Sequence, residues 1–339
     1  TLSSGLQELL LERQNGTSTS TAPDGTVTNE TLGPDPRWKL QAPLTTSTTI
    51  ATPGGVNLAT TLNRSLNLSN PADPLSLVSL DDTLAINGRN YTSNFTAATR
   101  TFVDTTPVGR QTQTVIDTQG RATSQQFATL DPASYTYDPR GRISTAIFGT
   151  GINARTFTYD YNTAGFLAAQ TDSLDRVTGF SYDTAGRVTQ QTLPDSRIVT
   201  FGYDTSGNPT SLTPPGRPAH TLDYNALNLL TSYMPPTVAG TGATQFAYNL
   251  DRQLSTITRP DALTINFAYD TAGRLQTLTV PNGAYGLSYS GTTGNLIGIT
   301  APGDVGLSFA YDGFLPTLTT WTGAVAGTVG QTFDNNFRM

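Results

Sequence analysis

The aspartates are the side chains of this 339-residue chain with most scope for chemistry, and they recur at a fixed spacing. Asp138, Asp183, Asp204 and Asp270 each follow a tyrosine (Tyr137, Tyr182, Tyr203, Tyr269) and stand three positions before a glycine (Gly141, Gly186, Gly207, Gly273). Asn162 holds the same place between Tyr161 and Gly165, and Arg142, Arg187 and Arg274 follow three of the glycines. A carboxylate can transfer protons, ligate a metal or accept backbone hydrogen bonds. The spacing favours the last, because Asp-Thr-Ala-Gly suits a type I turn closed by a residue at positive φ, which glycine adopts without a Cβ clash. The Asp oxygen then accepts from the turn's own N–H groups, and the hairpin carries a G1 bulge. Because Asn225 and Asn249 also occupy the Asp place, Asp183→Asn is expected to be nearly neutral. The arginines are placed to pair with aspartates of adjacent repeats in a ladder.

The remaining candidates are sparse. His220 is the only histidine, so a Ser-His-Asp triad would have to use it; a half-exposed strand histidine is the expectation. Asp81 with Asp82 lacks the regular oxygen-ligand spacing of a calcium loop, and a histidine-based metal site is excluded by number. Paired carboxylates for glycoside hydrolysis would draw on aspartates that already have turn roles. Trp38 and Trp321 read as packing anchors, with a carbohydrate or partner surface as the rival reading. The chain has no cysteine and hence no disulfide or thiolate chemistry. No catalytic residue, cofactor or metal is assigned.

The elements that position these residues follow from a repeat. Eleven copies of the motif begin at Ile116, Tyr137, Tyr161, Tyr182, Tyr203, Tyr224, Tyr248, Tyr269, Tyr289, Tyr311 and Phe333, spaced 20 to 24 residues apart. A period near 21 means one small unit stacked on copies of itself. Before Tyr269, Leu263, Ile265 and Phe267 alternate with Thr264, Asn266 and Ala268, the period of a strand with one apolar face. The residue two places before the motif tyrosine is usually aromatic (Tyr135, Tyr159, Phe180, Phe201, Phe246, Phe267, Phe309) and is expected to pair across neighbouring strands. Pro, Asp, Asn and Gly clusters at Leu193, Arg259, Val280 and Ala301 mark the second hairpin turns. The first 115 residues keep the Thr-rich strand habit without the clean motif and are read as about eight to ten further strands, with a separate cap or plug as the rival. LQELLLER at Leu6 is the only helix candidate.

Composition agrees. Lys39 is the sole lysine and the only glutamates are Glu8, Glu12 and Glu30, while Thr, Gly and Tyr are abundant. A net charge of −6 without a Lys/Arg cluster makes nucleic acid a poor partner, and no apolar run is long enough for a membrane span. The chain begins at Thr1 and stops just after a motif-like segment, as a piece of something longer would.

YDPRGR at Tyr137 and YDTAGR at Tyr182 and Tyr269, at this period, resemble the RHS/YD repeat of bacterial Rhs polymorphic toxins, Tc toxin BC components and teneurins. High Thr and the lack of Cys favour the bacterial type. The resemblance implies an all-β fold, a long antiparallel hairpin meander of about 30 strands curling into a hollow shell, or β-cocoon. Residues 1–115 would be its irregular strands and residues 116–339 about eleven YD repeats. It further implies a shell-wall segment of a secreted or cell-surface protein, whose partners are the rest of its own polypeptide and an enclosed C-terminal cargo domain. Any autoproteolytic core or toxin domain would lie outside this chain. A teneurin-like adhesion scaffold with a cell-surface or carbohydrate partner is the alternative. Hollowness has independent support: roughly 30 strands about 4.8 Å apart, closed into one turn, give a diameter of about 45 Å, which side chains cannot fill.

Overall fold

The computed structural model describes residues 5–236 and 242–339. They form 29 β-strands and one short 3-10 helix, Gly151–Asn153. The fold is all-β and antiparallel, in agreement with the strand count read from the hairpin turns. The segment Leu9–Glu12, inside the expected helix, is instead a strand paired with Thr17–Thr21. Eight residues leave most end groups of a helix unsatisfied, whereas pairing with the Thr-rich TSTST strand gives the backbone partners at once.

The chain divides into two compact units, residues 1–130 with 269–276 and 284–339, and residues 131–268 with 277–283. The second unit holds the most regular repeats. Strand follows strand there in chain order, for example Val177–Tyr182 on Val188–Thr192, and Val188–Thr192 on Ile198–Tyr203. Each motif tyrosine sits at a register shift: Ser181 pairs with Gln190 but Tyr182 pairs with Val188, leaving Thr189 as the bulged residue. The alternation before Tyr269 appears as Ile265 and Phe267 half-buried against exposed Thr264, Asn266 and Ala268.

The first unit contains longer hairpins, with strands such as Lys39–Ala51 and Asn57–Leu68. These are braced by an ion cluster. Asp35, only 2% exposed, accepts from the N–H groups of Arg37 and Trp38, and Arg64 bridges it to Asp82 at 3.0 and 2.6 Å. Burial raises the Asp35 pKa, but the N–H bonds of Trp38 and Arg37 with Arg64 outweigh it and leave the carboxyl below its ordinary value. The same unit joins its early turns to its late ones. Asp312 accepts from Thr52 Oγ1 and Gly54 N, each at 2.5 Å, and Asn87 Nδ2 donates to Asn335 O and Asn336 Oδ1.

Neither unit has a conventional core. Among the described residues only Ala146 and Leu315 are buried apolar side chains, and no large side chain is fully buried. The apolar strand faces are half-covered, as expected of a single layer of sheet.

Candidate functional site

Nine of the eleven motif turns are built alike; the turn after Tyr289 closes one residue wider, through Ser290 N to Asn295 O, and Asp312 lies outside a turn of this kind. At Asp183 the backbone closes through Asp183 N to Arg187 O and Gly186 N to Asp183 O, with Gly186 at φ +81°. Asp183 Oδ1 accepts from the N–H groups of Ala185 and Arg187, both at 2.9 Å. Asp138 and Asp270 repeat this geometry with Gly141 and Gly273 at positive φ, and Asp204 does so with Gly207, accepting from Asn208. Asn162 Oδ1 accepts from Phe166 N, with Gly165 closing the turn. Where glycine is missing, Asn228, Arg252 and Phe337 take the left-handed conformation at φ +60°, +64° and +58°. The opposite-edge turns use the same four-residue closure, with Ser196 at φ +66° and Ala262 at +63°.

The second carboxylate oxygen has a different partner from the one expected. Arg142, Arg187 and Arg274 each donate Nε to Oδ2 of the aspartate in their own turn, Asp138, Asp183 and Asp270, at 2.7 to 2.8 Å. The pairing is within a repeat because the bulge directs the arginine back over its own turn. Asp and Asn are therefore not interchangeable at this position. Asn162, Asn225 and Asn249 are followed four residues later by Phe166, Leu229 and Gln253, never by arginine. The paired carboxyls lie below the ordinary range, Asp138 first through the Arg142 side chain, Asp183 and Asp270 first through the N–H of the arginine.

The link between repeats comes from the rest of the arginine and from the tyrosine. Arg142 lies 4.0 Å over the Tyr161 ring, Arg187 4.7 Å over Tyr203 and Arg274 4.3 Å over Tyr289. Their NH1 atoms donate onward to the carbonyls of Gly165, Asp204 and Gly294. Phe166 replaces arginine in its repeat and stacks on Tyr182 at 5.0 Å, its ring filling the space where a Cβ on Gly186 would fall, 2.5 Å from Phe166 Cζ. In return six of the motif tyrosine hydroxyls donate to a carbonyl just past the preceding turn. Tyr161 bonds Ile143, Tyr182 bonds Leu167, Tyr203 bonds Val188, Tyr248 bonds Leu230, Tyr289 bonds Leu275 and Tyr311 bonds Leu296, all at 2.8 to 2.9 Å. Aligning the copies could have signalled this, since a tyrosine rather than phenylalanine opens nearly every one.

The expected aromatic pairing across neighbouring strands is corrected. Phe201 faces Leu212, Phe246 faces Ile257 and Phe309 faces Thr319. Equivalent residues of successive repeats lie two strands apart, about 9.6 Å, too far for ring contact. Among the described residues, Tyr135 alone of these positions makes an aromatic ring contact, with Phe148 at 6.5 Å, which in turn meets Phe157 at 5.8 Å.

The other candidates have structural partners. His220 Nδ1 bonds Tyr233 Oη at 2.7 Å and the rings stack. Asp81 accepts from Asn94 and Asp82 is held by Arg64. Trp321 lies against Gly327, where a Cβ would fall 2.5 Å from its ring, whereas Trp38 is 37% exposed with Arg37 over its face. Among the described residues no three His, Asp or Glu side chains gather to hold a metal ion, and no helix is long and apolar enough to cross a membrane.

Known proteins share this fold. The fold resembles the Photorhabdus luminescens Tc holotoxin pore, at TM-score 0.53 and 15% identity, covering 93% of this chain and 19% of that one. It also resembles the crystal structure of TcdB2-TccC3-TEV, at 0.51 and 14%, covering 94% and 20%. This chain thus spans about one-fifth of the length of these structures. No curated protein matches it. The family model for the teneurin YD-shell matches residues 10–339, and the chain belongs to that family.

Proposed function

We propose that this chain is a stretch of shell wall, residues 1–115 supplying irregular strands and 116–339 the YD repeats, in a longer polypeptide that encloses a cargo domain of its own. The observation that carries this reading is a meander of 29 strands whose apolar faces are only half-buried, with two buried apolar residues in all the described chain. Such a sheet cannot gain its stability from a packed interior. It is held laterally, by backbone pairing and by the tyrosine and arginine links from one repeat to the next. A wall made this way is free to bound a space. The mechanism is containment, with the motif residues serving as rungs and not as catalysts. A bacterial protein that is secreted or displayed at the cell surface fits the resemblance to toxin shells.

Limited proteolysis of the full-length polypeptide tests this. The domain following the repeats should resist cleavage while the wall is intact and become sensitive once denaturant opens it. Equal sensitivity in both conditions would remove containment. The second reading, an adhesion scaffold, is favoured by one feature: Trp38, Leu40 and Leu75 are exposed where two hairpin ends meet, one pinned by Asp35 and the two joined by Arg37 Nε to Pro74 O. That reading expects Trp38→Ala to abolish binding to a cell surface.

A further inference from the structure

The last motif copy breaks the arginine rule. Arg121, Arg142, Arg187 and Arg274 each form an ion pair with the aspartate of their own turn. Arg338 keeps only its backbone N–H on Asp334 Oδ1, at 3.1 Å, while Asp334 Oδ2 accepts from Asn336 Nδ2. The cause lies in the sequence DNNFR, where asparagines replace the usual small turn residues. Asn335 O and Asn336 Oδ1 both accept from Asn87 Nδ2, at 2.8 and 2.9 Å, and Asn335 Oδ1 accepts from Asn57 N. Asn87 opens the two-residue turn Asn87-Gly88, both residues at positive φ, and Arg89 follows it directly. The docked asparagines thereby bring Arg338 beside Arg89.

A third guanidinium joins them. Arg110 closes the next turn on the same edge, through Thr106 N to Arg110 O. Arg89, Arg110 and Arg338 together line a cleft of about 550 Å³, with Tyr91, Thr106, Pro107 and Val108 as the rest of its wall. No carboxylate lines it; Asp82 and Asp104 line the neighbouring cleft beyond Tyr91 and Thr106. Among the described residues, none of the three arginines forms an ion pair. In a chain of net charge −6 these side chains gather three positive charges around one space, with the Asp334 carboxylate near enough to Arg338 to be held below its ordinary pKa in part by it.

We infer that this cleft is a binding site for a tetrahedral oxyanion, a phosphate or sulfate ester, whose organic body lies against Tyr91, Pro107 and Val108. Guanidinium forks match such groups bidentately, and three of them can engage more oxygens than a carboxylate offers.

The test is calorimetric titration of the chain at low ionic strength with inorganic phosphate, inorganic sulfate, acetate, phenyl phosphate and phenyl sulfate. Phosphate and sulfate should bind, acetate about tenfold or more weakly, and the phenyl esters more tightly than the bare ions. Whichever ester binds better identifies the source. An Arg89→Gln/Arg110→Gln variant should lose the binding with an unchanged thermal midpoint, and Arg89→Lys should retain part of it. Acetate binding as well as sulfate, or full affinity in the double glutamine variant, would overturn the site, as would no binding at all.

Discussion

Tyr203→Phe isolates the link between repeats. The substitution deletes one hydroxyl, which donates to Val188 O at 2.9 Å, and leaves the ring under Arg187. A net loss of about 0.5 to 1.5 kcal/mol follows for the missing hydrogen bond, with the Val188 carbonyl left half-satisfied. For a unit of this size that is a fall of roughly 1 to 6 °C in thermal midpoint. The chain supplies its own control. The Tyr224 hydroxyl has no hydrogen-bond partner among the described residues, so Tyr224→Phe should be nearly neutral. Both variants are to be measured by urea denaturation, since repeat arrays lose cooperativity when the interfaces between units weaken. Tyr203→Phe should lower the midpoint or the slope, and Tyr224→Phe should change neither. Identical curves for the two variants would refute the claim that tyrosine hydroxyls couple the repeats.

Other outcomes follow from the same geometry. Gly186→Val forces positive φ on a β-branched residue and meets the Phe166 ring, so it should cost at least about 1 to 3 kcal/mol by chemical denaturation. Ala262→Gly, at φ +63°, should instead stabilise by about 0.5 kcal/mol, after subtracting the added unfolded-chain entropy. Asp183→Asn keeps the turn acceptor but loses the Arg187 pair, and should destabilise at neutral pH. Its pKa is lowered in the fold, so the native carboxylate contributes above the unfolded value of about 4. The difference between wild type and Asp183→Asn should therefore close as pH falls below that value, as urea curves at several pH values would show.

Turns and strands were legible in the residues because they depend on local chemistry. Asp and Gly three apart determine the hairpin, and alternation such as Ile265, Asn266, Phe267 determines the strand face. The non-glycine left-handed residues Asn228, Arg252 and Phe337 could have been found by aligning the copies, since they fall where Gly186 falls. What spacing could not reveal is the direction in which a side chain leaves a bulge. That direction decides that Arg187 meets Asp183 in its own turn and Tyr203 in the next repeat. The contacts of Asp312 with Thr52 and Gly54, and of Asn335 with Asn57, join residues more than 250 positions apart. No pattern along the chain encodes such a meeting. The motif aspartate at Asp312 has accordingly left the turn role that its sequence position suggests.

In the proposed reading these repeats form a wall around a space and not the core of a compact body. A cryo-electron microscopy map of the full-length polypeptide tests it most directly. One continuous layer of strands with separate cargo density inside it is the expected result. Repeats folded back into bodies with their own packed interiors would contradict it.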